Sequence, residues 1–290
     1  MYSVRLLAWQ IFIRKFFVQF KLSVLVILMA TIVGCSQIPV KKEAGRLNFD
    51  YSSKEIGEPT HKVIGLVASE VESPQLANAH NPQNPFMALA LANAQQGFNA
   101  NKAYGDSYEM QLMTALNNNF ESILTNKGFN TKGPFQTFDD IAYSDKKSMY
   151  LAVVPRLNLN IVQESDGVSC KTTHCTDIGN IHITGEMLLK VIEPLTGQSM
   201  LNKRINLSDF NILEPYRKEW EKMNDGGLVG MALNEALKPE QLVDDSEKAL
   251  TTALSVFYAK ASAKVDTFLS RDEFLSMEPD VKQLKDLKRY

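Results

Sequence analysis

Cysteine is scarce in this chain of 290 residues, with three in all, and tryptophan is scarcer still, with two. So few thiols exclude a disulfide-dense scaffold. Beyond residue 33 there is no apolar run long enough to cross a bilayer, which excludes a polytopic membrane protein. An excess of positive charge is missing too: 31 Lys and Arg face 33 Asp and Glu, a net charge of −2. Four of the bases, Arg5, Arg14, Lys15 and Lys21, lie in the first 34 residues, which hold no acid. The remainder keeps 27 bases against 33 acids, a net −6. A body that acidic offers no clustered cations for a phosphate backbone, so nucleic acid is not an expected partner. The signatures of catalysis are also absent. There is no nucleophile elbow, phosphate-binding glycine loop or zinc-protease helix. Gly226-Gly227-Leu228-Val229-Gly230 holds three glycines but follows no strong strand, as a nucleotide fingerprint would require, and reads as a turn. Neither an enzyme nor a cofactor is expected. What remains, at 44% hydrophobic residues, is an ordinary globular body.

The N-terminus reads as an address. Residues 1–21 are basic and aromatic, and Leu22–Val33 is a twelve-residue apolar run ending in Ile32-Val33-Gly34-Cys35. A positive segment, a short apolar segment and a small residue before a cut describe a secretory signal. The cysteine after the small residue resembles the lipobox of bacterial lipoproteins, which implies diacylglycerol and acyl (palmitate) chains on Cys35. Two or more such chains hold a protein stably on a bilayer, at about 0.8 kcal/mol per buried methylene. The alternative is an uncleaved anchor over residues 6–33, but Arg14, Lys15 and Lys21 interrupt that stretch. Ser36 in place of Asp favours the outer membrane, by resemblance to the sorting rules of Gram-negative lipoproteins. Residues 1–34 are therefore expected to be a signal peptide and 35–60 a polar, lipid-anchored linker.

Residues 61–272 read as a single domain. Lys62–Ala68 is a short buried strand. The segment 72–105 is Asn- and Ala-rich with Pro74, Pro82 and Pro85, and reads as an insertion. Residues 106–127 predict a helix, with Asp106 and Glu109 at capping-box spacing, Leu112, Leu116, Phe120, Ile123 and Leu124 on one stripe, and Gly128 as its left-handed stop. Met149–Val162 alternates: Leu151, Val153, Leu157, Leu159 and Ile161 share one face, and Arg156, Asn158 and Asn160 the other. Pro155 within it predicts an edge position or a bulge. Ile181–Ile192 and Ser199–Leu207 continue the pattern across a Glu193–Gln198 turn, as an antiparallel meander. Asn211–Met223 is read as a helix, Asp245–Leu269 as a longer one, and 273–290 as a charged, solvated tail. The expected fold class is α+β: a largely antiparallel sheet with long strands and two main helices packed on one face.

Cys170 and Cys175 flank four residues in the connection between two long strands. In an oxidising envelope compartment a disulfide is the leading reading. The sharper alternative is a zinc site from Cys170, His174 and Cys175 with His182 as fourth ligand; the spacing is crowded, and His182 falls in the next strand.

Arg46-Leu47-Asn48-Phe49, Tyr150-Leu151-Ala152-Val153, Lys190-Val191-Ile192-Glu193-Pro194-Leu195-Thr196-Gly197-Gln198-Ser199, Leu207-Ser208-Asp209-Phe210-Asn211-Ile212 and Gly226-Gly227-Leu228-Val229 occur in this order after the lipobox. Together they resemble the neuraminyllactose-binding haemagglutinin lipoproteins of Helicobacter and its relatives, over residues 44–272 apart from the 72–105 segment. The resemblance implies a lipoprotein of the outer membrane or flagellar sheath that acts as a sialic-acid-binding adhesin at the cell surface and is not an enzyme. Its partners would be the membrane, through the lipid anchor, host glycans or glycoproteins, and envelope or flagellar-sheath proteins. The family's binding segment is lysine-rich and follows the first long strand. Here that place, Glu164–Asp177, holds Lys171 as its only base. A carboxylated sugar needs Arg or Lys for its charge and polar side chains for its hydroxyls, so Arg156, Asn158, Asn160 and Lys171 are the glycan-binding candidates. An ordinary solvated sheet face would look the same. A structural or assembly lipoprotein without lectin activity is the alternative function.

Overall fold

The computed structural model describes residues 41–42, 47–72, 100–171, 174–221 and 241–288. Cys35, residues 1–34, most of the 72–105 segment and the glycine run at 226–230 lie outside the described residues. The strands are β1 (Lys41–Lys42), β2 (Val63–Val67), β3 (Glu70–Glu72), β4 (Asn130–Phe135), β5 (Leu151–Cys170), β6 (His174–Ile192), β7 (Ser199–Asn206), β8 (Ile212–Glu221) and β9 (Gln241–Asp244). The helices are α1 (Ala100–Ala103), α2 (Glu109–Asn126), α3 (Tyr143–Ser148), α4 (Ser246–Phe268), α5 (Arg271–Ser276) and α6 (Glu278–Leu287).

Their order in the sheet is β1-β9-β8-β6-β5-β2-β4, with β3 beside β5 and β7 beside β6. The fold is α+β, but the sheet is mixed rather than largely antiparallel. β1–β9, β2–β4, β2–β5 and β3–β5 are parallel, while β5–β6, β6–β7, β6–β8 and β8–β9 are antiparallel. The reason lies in the connection from β2 to β4. A helix stands between them, and a parallel pair needs such a crossover, whereas a hairpin turn suffices for an antiparallel one. Pro155 pairs with Leu189 of β6. On its other side it falls between the stretch of β5 paired with β2, which stops at Val153, and the stretch paired with β3, which starts at Arg156.

The core lies between the inner face of this sheet and α2 and α4. Leu151, Val153, Leu157, Leu159 and Ile161 are buried, as are Leu112, Leu116, Phe120, Ile123 and Leu124 of α2 and Ala249, Leu250, Ala253, Leu254, Phe257, Ala261 and Val265 of α4. Each such Leu, Ile or Phe contributes about 1.5–3 kcal/mol on burial. Gly128, at φ +86°, ends α2 as expected, and a β-carbon there would stand 2.0 Å from the carbonyl oxygen of Glu58.

Several elements differ from the sequence-based expectation. Of the helix expected over Asn211–Met223, the described part, 211–221, is not helical: Asn211 takes a left-handed turn and Ile212–Glu221 is strand β8. Ile212, Tyr216 and Trp220 stand four apart, which mimics a helical stripe. Pro215 and the burial of Ile212, Tyr216 and Lys218 between exposed Leu213 and Arg217 belong to a strand. Asp106 does not cap a helix. It sits in a π-helical turn, Tyr104–Tyr108, that joins α1 to α2. The described part of the 273–290 stretch, up to residue 288, is not a solvated tail either. Phe274 and Val281 are buried in the core, and the ammonium of Lys285 donates to the carbonyl oxygens of Lys147 and Met149.

The linker expected over 35–60 is bound to the body from residue 47. Leu47, Phe49 and Tyr51 pack against the core, alternating with exposed Asn48, Asp50 and Ser52. Further along, Gly57 N donates to Asn126 O (2.7 Å) and Thr60 N to Gly128 O (2.7 Å), and Arg271 donates to the carbonyls of Lys127 and Glu58. The alternation of period two is the signal of an extended strap rather than of a free tether. Among the described residues, no helix is long and apolar enough to cross a membrane.

Candidate functional site

The outer face of the sheet carries the second half of the strand alternation. The registers set Val154, Lys190 and Asn202 in one row across β5, β6 and β7. Arg156, Leu188 and Arg204 form the next row, and Asn158, Glu186 and Asn206 the one after. Phe138 and Asp139, from the loop before α3, stand beside the first two rows. The result is a groove of about 410 Å³ lined by Phe138, Asp139, Val154, Arg156, Leu188, Lys190, Asn202 and Arg204, among others.

Its chemistry is cationic with an apolar floor. Arg156, Lys190 and Arg204 are exposed, and so is Leu188, at 38%. The guanidinium of Arg204 pairs with the Glu186 carboxylate two residues from the groove floor, which holds it at the wall. The Lys146 ammonium stands 4.4 Å from the centroid of the half-buried Phe138 ring and brings a further cation to the rim. Asp139 is the anion among the lining residues. A groove of this composition can hold a carboxylate by forked guanidinium donors and cover the carbon face of a ring with Val154, Leu188 and Phe138.

Of the residues named from sequence, Arg156 lines the groove. Asn158 and Asn160 continue the same face beyond it, and the Asn160 amide donates to Thr184 Oγ1 at 3.2 Å. Lys171 is not brought to them. It is exposed at the far end of the β5–β6 hairpin, its backbone N–H bonded to His174 O at 2.8 Å. That is roughly 50 Å along the strand from Arg156 at ~3.3 Å per residue. At this tip Cys170 and Cys175 face each other across the ladder and are bonded as a disulfide, so neither offers a thiolate to a metal. His182 lies far down β6, with Nε2 3.4 Å from Glu164 Oε2. Among the described residues no three His, Cys, Asp or Glu converge as a metal ion requires.

Residue pattern alone does not single out Lys190, Arg204 and Phe138. Lys190 alternates with buried Leu189 and Val191, and Arg204 precedes buried Ile205, so both were assignable to the outer face. Which rows they would share depends on the register, and that is not legible in one sequence. On the inner side, Glu193 is fully buried. Its carboxylate accepts from Leu195 N (3.0 Å), Thr196 N (2.7 Å) and Thr196 Oγ1 (2.6 Å), closing the β6–β7 turn that brings Lys190 and Asn202 together.

The fold is thus a mixed sheet with helices on its inner face and an open cationic groove on its outer face. The sequence profile of the neuraminyllactose-binding hemagglutinin precursors matches residues 88–288, and the chain belongs to that family. Two relatives, both neuraminyllactose-binding hemagglutinins of Helicobacter pylori, are 24% and 23% identical over 269 residues, covering 89% of this chain and 90% of theirs. A crystal structure of a neuraminyllactose-binding hemagglutinin homolog from Helicobacter pylori superposes with a TM-score of 0.50 at 16% identity, over 80% of this chain and 99% of that one. At that identity the likeness speaks for the fold. The relatives are named for binding and hemagglutination rather than for catalysis.

Proposed function

We propose that this protein is an adhesin-like lipoprotein of the outer membrane that displays its outer sheet face to acidic glycans. In this reading the acyl chains on Cys35 hold it to the bilayer, and the groove between β5, β6 and β7 takes the carboxylated sugar. The supporting observation is the convergence of Arg156, Lys190 and Arg204 around Leu188 and Phe138. Arg156 and Arg204 take the carboxylate, Asn202 the hydroxyls, and Phe138 with Val154 the carbon face. The name of the relatives points to the same ligand class. The site differs from the family's lysine-rich segment, whose place here is the disulfide-closed tip with Lys171 alone.

A glycan array probed with the full-length acylated protein tests this reading. Signal on acidic glycans that falls with rising salt is expected, because the groove is open to solvent. No signal on any carboxylated glycan would overturn it. Protease added to intact cells separates display from assembly: cleavage of the body on intact cells agrees with an adhesin, and cleavage only after lysis favours the assembly lipoprotein.

A further inference from the structure

The end of the sheet that carries the β5–β6 hairpin tip is also the end at which the chain enters the sheet. Lys42 of β1 pairs with Asp244, Asp244 with Lys218, Lys218 with Asp177 and Asp177 with Val168, one row across five strands. Cys35 precedes Lys41 by six residues, which is at most about 20 Å of extended chain. The connection 222–240, outside the described residues, leaves from Glu221 and returns at Gln241, whose partner is Trp220. From Gly226 to Asn234 its sequence carries no charge. The groove lies far from this end: Leu188 and Lys190 stand further along β6 than Asp177, by roughly 40 Å at ~3.3 Å per residue.

The hairpin end is apolar on both faces. Val168 is 42% exposed and Ile178 52%. Val168 pairs with Asp177 and Ile178 follows Asp177, so the two side chains point to opposite faces of the ribbon. Nearer the tip come the Cys170–Cys175 disulfide and, opposite Cys175 on β8, the half-buried Trp220. An indole in that position suits the boundary between water and acyl chain. The charged residues nearby are of both signs, Lys171 and Arg217 with Asp166, Glu219 and Glu221, and Arg217 is paired with Glu219. Attraction to lipid at this end is therefore apolar rather than ionic.

We propose that this end of the sheet docks on the bilayer, with Val168, Ile178 and Trp220 in the interface between headgroups and acyl chains. The proposal rests on the reading of Cys35 as an acylated anchor. That anchor supplies the occupant: a surface leashed within about 20 Å of a bilayer meets that bilayer before any soluble partner. A hairpin entering end-on withdraws both exposed aliphatic side chains from water, which a contact through one flat face would not do. End-on docking also holds the groove clear of the headgroups.

Trp220 is the one tryptophan beyond residue 34, so its emission reports on this end of the processed chain. The acylated protein, processed at Cys35 and otherwise full-length, is reconstituted into phosphatidylcholine vesicles whose acyl chains carry bromine, a short-range quencher of indole emission. Trp220 emission is expected to shift to the blue and to lose most of its intensity relative to bromine-free vesicles, with little change on adding salt. The double variant Val168→Glu, Ile178→Glu should keep its melting temperature, because both side chains are exposed. It should still float with the vesicles through its acyl chains, but lose the quenching. Flotation separates the two readings. A chain that does not float overturns the anchor, and the docking with it. One that floats with Trp220 unquenched overturns the docking alone, as does quenching that survives the double variant. A blue shift that tracks protein density without quenching would give this end to a second copy and overturn the proposal too.

Discussion

The ammonium of Lys127 lies 2.9 Å from the Asp266 carboxylate, with a lysine side chain 2% exposed and an aspartate side chain 9% exposed. The same ammonium reaches Asp266 O at 2.8 Å and Glu55 Oε2 at 2.5 Å. Tyr51 Oη and Ser53 Oγ donate to the same carboxylate at 2.8 and 2.9 Å. One buried ion pair thus ties together the end of α2, the end of α4 and the strap. Removing one partner leaves an unpaired buried charge, which costs about 3–5 kcal/mol. Lys127→Ala should lower the urea unfolding free energy by that amount. It should also raise amide exchange over 47–55 more than over β5.

The same cluster predicts an acid-sensitive strap. Burial pushes the Asp266 carboxyl up, but hydrogen bonds from Lys127, Tyr51 and Ser53, with the charge of Lys127, outweigh it and hold the group below its ordinary 3.8. A depressed carboxylate contributes stability that is present above its unfolded value and lost as pH falls through the folded one. Unfolding free energy should therefore decline from about pH 4 downward. Asp266→Asn, although less stable at neutral pH, should show a shallower decline. Equal acid slopes in the two proteins would contradict the assignment.

In the groove, charge removal should act on ligand and not on fold. A hydrogen bond to a charged group is worth about 1.5–3 kcal/mol. Arg156→Gln and Arg204→Gln should each weaken acidic-glycan binding roughly ten- to hundredfold, with melting temperatures within a degree or two of the parent. Titration calorimetry at two salt concentrations measures both the loss and the shallower salt dependence of the variants.

The tip disulfide should matter for stability alone. Cys170 and Cys175 stand 5 positions apart in the sequence, and closing so short a loop contributes about 2 kcal/mol in the chain-entropy account. The double variant Cys170→Ser, Cys175→Ser should lose no more than that in urea unfolding and keep its groove affinity. A large loss of glycan binding would move the site to the tip.

Much of this architecture could be read from residue patterns. The stripe of α2, the helix expected over Asp245–Leu269, the two-faced alternation of β5 and the stop at Gly128 are local signals, and they stand as read. The failures have local causes as well. Four-residue spacing of Ile212, Tyr216 and Trp220 imitates a helix in a strand, and charge in the last residues hides Phe274 and Val281 of the core. The alternation of Leu47, Phe49 and Tyr51 was lost among polar neighbours. The site was half legible: Arg156 lay on the outer face by period, but its meeting with Arg204 depends on pairing through Leu188 of a third strand. Pairing at that range leaves no trace in spacing.

Hydrogen exchange of the full-length protein with and without a saturating carboxylated glycan tests the central claim most directly. Protection confined to 154–158, 186–190 and 202–206, with none at 164–177, is the result the groove predicts. Protection centred on 164–177, with those three strand segments unchanged, would contradict it and return binding to the hairpin tip.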